Sequence, residues 1–226
     1  MRTLLSVGER ILSLLYPPRC AFCHNLMPDG VSVCAYCRRT LPYTQGAGQS
    51  RKLTHISQCV SPLYYEGVVR DSLLRYKFRS LSGYAAVYGE FLTKCIDENG
   101  ISCDSICWVP LSRGRKWKRG YDQAQLLAQE ISRRTGVPCE RLLRKIRNNP
   151  AQSGKKSAAV RRENVKGVYR ACDPEAIRGK SILLVDDIVT TGSTLSECAS
   201  VLMQAGARQV SAATVACSGE KKEPLR

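Results

Sequence analysis

Two clusters in this 226-residue chain have residue types and spacings suited to chemistry rather than to packing alone. The first is Leu183-Leu184-Val185-Asp186-Asp187-Ile188-Val189-Thr190-Thr191-Gly192-Ser193-Thr194-Leu195. An apolar strand runs into paired carboxylates, and a Thr/Gly/Ser turn then opens a helix. A helix N-terminus offers unpaired N–H groups and partial positive charge, which together seat a phosphate. Gly192 lets the backbone come close, while the hydroxyls of Thr190, Thr191, Ser193 and Thr194 add donors. Asp186 and Asp187 would repel that phosphate, so they suit either the diol of a neighbouring sugar or a bound Mg²⁺. The run lacks the lysine of a GxxxxGK[ST] loop and the spacing of a GxGxxG turn. A capped strand-to-helix turn would explain TTGST by itself, but not TTGST preceded by LLVDD.

The second cluster is CAFCHNLMPDGVSVCAYC, which sets Cys20 and Cys23 ten residues ahead of Cys34 and Cys37. Each CxxC puts two thiolates on one tight turn, and two such turns complete a closed tetrahedral zinc shell. Pro28 and Gly30 suit the reversal between them. The competing readings are two disulfides or two redox pairs. Structural zinc is favoured, as one ion without a catalytic position, and the phosphate site is expected to survive its loss. His24 is read as a bystander. The other eight of the twelve cysteines are scattered and receive no role.

A third feature is charge. The chain carries a formal +16, and the 58 residues from Arg113 to Arg170 hold 17 Lys/Arg against four acids. Arg113, Arg115, Lys116, Lys118 and Arg119 surround Trp117. Clustered cations suit a diphosphate leaving group, whose charge grows in the transition state. Cations beside exposed aromatic rings also suit a track for single-stranded nucleic acid. The third option is a solvated basic face.

Elements that must position these groups can be read from periodicity and punctuation. Residues 1–16 have amphipathic helical spacing, and 44–54 read as a linker. Helices are predicted over 68–78, 84–98, 121–136 and 194–205, with Gly136 stopping the third. Strands are predicted over 105–110, near 141–146, and over 167–171, 181–187 and 209–215. Alternating strands and helices predict an α/β fold with a mostly parallel sheet. The expected organisation is a helix and four-cysteine module at 1–52, an α/β domain at 53–218 and a tail at 219–226. No stretch approaches a membrane span, and a cytoplasmic location is expected.

The 13-residue run resembles the phosphoribosyl-pyrophosphate (PRPP) motif of type I phosphoribosyltransferases. That resemblance implies that Asp186 and Asp187 hold the ribose hydroxyls and Thr190–Thr194 the 5′-phosphate, with Mg²⁺ arriving with the ligand. It makes VPLSRGRKWKRGYDQA (109–124) the counterpart of the pyrophosphate loop, with Arg113, Arg115, Lys116 and Arg119 as its cations. The polar segment 147–164 takes the place of the loop that closes over the site. A four-cysteine module followed by RGYDQAQLLA, NPAQSGKKSAAVRRENVKG and LLVDDIVTTGSTL further resembles the ComF/GntX family, linked to DNA uptake in competence. With the basic stretch, it leads to PRPP, single-stranded DNA and competence-machinery proteins as expected partners. The chain departs from the fuller double-ribbon form in having one four-cysteine set, and it has Asp122 where the family has Asn.

Overall fold

In the computed structural model, residues 17–44, 53–78, 82–147 and 167–219 are described. The reading for 1–16, and most of those for 44–54, 147–164 and the tail, lie outside them. The centre is a parallel sheet in the order β1 (Cys59–Val60), β7 (Gln209–Cys217), β6 (Ser181–Val189), β3 (Ser105–Trp108), with β2 (Leu63–Tyr64) also on β7. The two short strands at one edge escape sequence reading, because two-residue strands carry no alternation to detect.

The apolar run Ser181–Val185 forms the middle of this sheet because both its faces are covered. Leu183 and Val185 face one core, with Ile106 and Trp108 of β3 and Ala213 and Val215 of β7. Ile182 and Leu184 face the other, with Cys107, Val210 and Ala212. On the first face pack α2 (Gly67–Phe78), α3 (Tyr84–Glu98) and α5 (Gln123–Thr135). The same core takes in Phe22, Val33 and Leu41 around α1 (Ala35–Thr40), so the cysteine module shares a hydrophobic cluster with the sheet. The other face is covered by α6 (Ser193–Gln204) and by β4 (Leu143–Lys145) and β5 (Tyr169–Ala171), which form a separate antiparallel ribbon. The two strands read near 141–146 and 167–171 therefore stand apart from the parallel sheet.

One expected loop is partly helical. Within 109–124 the residues Arg113–Arg119 form α4, which Gly120 ends in the left-handed region at φ +79°. Apart from Gly114, the segment consists of Arg, Lys and Trp, which a helix accommodates readily. The β6 strand also runs two residues past its predicted end, to Val189, because β7 continues to pair with it there.

Candidate ligand cleft and metal centre

The cleft lies beyond the carboxyl end of β6, where open α/β sheets bind their ligands. The Asp187 N–H donates to Asp186 Oδ1 at 2.8 Å, so the two acids are held as a pair. Burial, and secondarily the charge of Asp187, pushes the Asp186 carboxyl up to about 8. Two adjacent carboxylates in a partly dry site resist carrying two negative charges. That arrangement calls for a hydroxyl donor or a cation.

Gly192 follows at φ +74° as the N-cap of α6, a backbone shape that L side chains seldom adopt. A Cβ there would also run into the Leu53 side chain. Thr191 Oγ1 and Ser193 Oγ lie 2.9 Å apart, and the Ser193 N–H donates to Thr191 Oγ1. The other side of the loop is tied down by Ser218, whose N–H donates to Val189 O at 2.9 Å. Thr190 to Thr194 therefore form a capped turn directly beyond the acids.

Asp186, Asp187, Thr194, Arg115 and Arg119 line one cleft of about 210 Å³. Sequence reasoning had grouped these residues from two segments 70 positions apart. Lys116, on α4, turns to Gln125 instead, donating to its Oε1 at 3.3 Å. Arg119 donates to Gln123 Oε1 at 2.9 Å and lies over the Phe78 ring, 5.0 Å from its centroid. Trp117 is 90% exposed. Arg113 opens α4.

Three further cleft residues escaped sequence reasoning. Lys77, at the end of α2, pairs with Asp187 Oδ1 at 3.0 Å. Its segment shows only helical periodicity, with no signal of a ligand. Lys145 and Tyr169 face each other across the ribbon, with the ammonium 5.4 Å from the ring centroid. Burial, followed by the charge of Arg115, holds the Lys145 pKa down. The role of Asp122 is also resolved. It caps α5 by accepting from the Gln125 N–H and takes the Leu111 N–H at 3.0 Å, fixing the chain where it turns into the cleft. A shared-strand position could have pointed to Lys145 and Tyr169, but only the pairing of β4 with β5 brings them over the acids.

The cysteine centre has the donors for a metal. The sulfurs of Cys20, Cys23, Cys34 and Cys37 all lie within 4.8 Å of one another. The Cys34 N–H points at Cys20 Sγ and the Cys37 N–H at Cys34 Sγ, at 3.4 and 3.3 Å. Burial opposes ionisation of Cys20, yet the N–H groups of Cys34, Cys23 and Phe22 outweigh it and bring the thiol down to about 6. Cys37 goes the other way, raised first by burial and then by its sulfur neighbours. Cys20 thus ionises easily, and burial opposes ionisation of Cys23 and Cys37, a charge that a divalent cation would offset. This set suits zinc, and it is the one such cluster among the described residues.

A double zinc ribbon domain model matches residues 11–48, and a phosphoribosyl transferase domain model matches residues 119–226. The "DNA utilization protein YhgH" of Salmonella typhimurium is 30% identical over 207 residues, covering 84% of this chain and 86% of that protein. The chain belongs to the ComF family. The "Competence protein F" of Haemophilus influenzae is 36% identical over 109 residues, 47% of each chain, so the match spans about half that relative's length. The "Competence protein ComFC" of Bacillus subtilis is 30% identical over 146 residues, 63% of this chain and 56% of that one. This ComF-family chain thus joins a zinc ribbon to a type I phosphoribosyltransferase fold. None of its described helices is long and apolar enough to cross a membrane.

Proposed function

We propose that the cleft binds PRPP with Mg²⁺, and that the protein serves DNA uptake through this site. The observation that carries the reading is the convergence of Asp186, Asp187 and Thr194 with Arg115 and Arg119 on one cleft. The Thr190–Thr194 turn takes the 5′-phosphate on the N–H groups opening α6. The two acids accept the ribose hydroxyls, with Asp122 keeping the 110–111 turn in place beside them. Magnesium, carried in by the diphosphate, supplies charge neutralisation, and the aspartates can hold it directly or through water. The link to DNA uptake comes from the names of the competence and DNA utilization relatives.

The arrangement suits transfer at the anomeric carbon. An acceptor nucleophile forms a bond to that carbon as the bond to the diphosphate oxygen breaks. Pyrophosphate leaves with the electron pair, and the acceptor's proton passes to solvent. Arg115 and Arg119 stand where charge would develop on the leaving group. Incubation with PRPP, Mg²⁺ and a panel of nucleobases should release pyrophosphate with one of them. Binding of PRPP without release under any acceptor would restrict the site to recognition.

The exposure of Trp117 favours a second reading, a non-catalytic accessory that binds single-stranded DNA. An indole 90% exposed on a cationic helix is a stacking platform in search of a base. Real phosphate contacts make such binding fall steeply as salt rises. Single-strand affinity that stays flat between low and moderate salt would rule it out, as would an unchanged affinity in Trp117→Ala.

A further inference from the structure

Lys77 is the cleft residue least explained by the PRPP reading, and the helix that carries it is unusually well held. On α2, Ser72 Oγ donates to the Ala21 carbonyl and lies 2.5 Å from the Tyr88 hydroxyl. Arg75 Nη2 donates to the Phe22 carbonyl at 2.5 Å. Both acceptors sit inside the first cysteine turn, between Cys20 and Cys23. From the other side, Tyr76 donates its hydroxyl to Gln123 O at 2.9 Å, and the Tyr121 hydroxyl donates to Tyr76 O. The next residue is Lys77. Its side chain is 19% exposed, and its Nζ meets Asp187 Oδ1 at 3.0 Å.

An ammonium has three N–H donors and no acceptor. Among the described residues, Asp187 is the one ion-pair partner of Lys77, and the side chain also lines the cleft with Arg115 and Arg119. A lysine needed only to fill space, or only to keep the chain soluble, would not be delivered to a buried carboxylate by a helix clamped on both sides. Charge balance of the acids need not be its whole use, since its ammonium shares the cleft lining with the Arg115 and Arg119 side chains.

We propose that Lys77 is a ligand-binding residue that bridges Asp187 to the diphosphate of the bound sugar phosphate. One N–H stays on the acid, and the others turn to the diphosphate oxygens on the Arg115–Arg119 side of the cleft. This rests on the PRPP reading and adds a residue to it from outside both recognised segments.

Calorimetric titration with PRPP and with ribose 5-phosphate, each with Mg²⁺, separates the possibilities. The two ligands share the sugar hydroxyls and 5′-phosphate, and only the first carries a diphosphate. Lys77→Met should weaken PRPP by about 10- to 100-fold, the range for a lost charge-assisted contact, and leave ribose 5-phosphate within about 3-fold. Lys77→Arg should recover most of the PRPP affinity. Lys77→Gln, which keeps a donor for Asp187, gives the same readout where the methionine fails to fold. Unchanged or tighter PRPP binding in the variants overturns the inference, as does equal weakening of both ligands, which would make Lys77 only a support for Asp187. A wild-type protein that binds neither ligand overturns the PRPP reading itself.

Discussion

The cysteine turns and the Thr/Gly/Ser turn each gather polar groups around a point, yet they are held in opposite ways. Around Cys20–Cys37 the regular structure is the six-residue α1 and one isolated bridge, Arg19 to Leu26. Burial raises the Cys23 and Cys37 thiols, and a bound zinc would offset the charge of ionising them. The Asp186–Thr194 segment instead ends the nine-residue β6, which is hydrogen-bonded to β3 on one side and β7 on the other. One site is expected to be made by its metal, and the other stands preformed at the end of the sheet.

Removing zinc should draw this contrast most strongly. Structural zinc is worth about 10–16 kcal/mol of apparent binding energy in small domains. Chelation, or Cys20→Ser, should expose the amides of residues 20–44 to rapid hydrogen exchange while those of β6 and β7 stay protected. Loss of protection across both regions would show one cooperative unit instead of two.

Gly192→Ala attacks the preorganised turn. A Cβ at φ +74° with Leu53 in its way should destabilise the protein by about 1–3 kcal/mol and weaken PRPP, without releasing zinc. A denaturant melt and a metal assay on one sample check both halves of that statement.

The acid pair should also show itself through pH. Asp186 has a native pKa near 8 against an ordinary value of 3.8, so between about pH 4 and 8 the folded protein holds a proton that the unfolded chain releases. Stability of the empty protein should therefore fall as pH rises through that window, and Asp186→Asn should remove the slope. On the proposed reading PRPP with Mg²⁺ meets an ionised Asp186, so affinity should rise over the upper part of the same window and level off above it.

The smallest expected effect crosses between the regions. Because Ser72 and Arg75 rest on the Ala21 and Phe22 carbonyls, zinc loss should loosen α2 and with it Lys77. PRPP affinity should drop by about 3-fold, rather than staying untouched as the sequence alone suggests. An unchanged affinity would mean that Tyr76 and Tyr121 hold the helix without help from the cysteine turn.

What was legible in the chain follows from how local each signal is. LLVDD and TTGST are contiguous, and their chemistry is set by their own backbone, so the acids and the α6 cap could be read directly. The CxxC pairs are local in the same way. Gly136 and the Arg133–Arg134 pair marked the end of α5 correctly, with Gly136 in the left-handed region. By contrast, Lys77, Lys145 and Tyr169 reach the cleft only through tertiary packing and ribbon pairing. The short strands β1 and β2 exist because β7 offers a partner, and nothing in SQCVSPLY announces that. The basic run misled in one respect: its cations looked like a loop around an anion, but a helix aims Arg115 and Arg119 into the cleft and turns Lys116 to Gln125.

Whether the end of β6 is a PRPP site is decided by calorimetric titration of the zinc-loaded protein with PRPP and Mg²⁺. The proposed site should give saturable one-site binding that Asp186→Asn/Asp187→Asn weakens by at least about 100-fold, in line with the cost of removing buried charged partners. Absence of heat from the native protein, or equal affinity in the double variant, would contradict it.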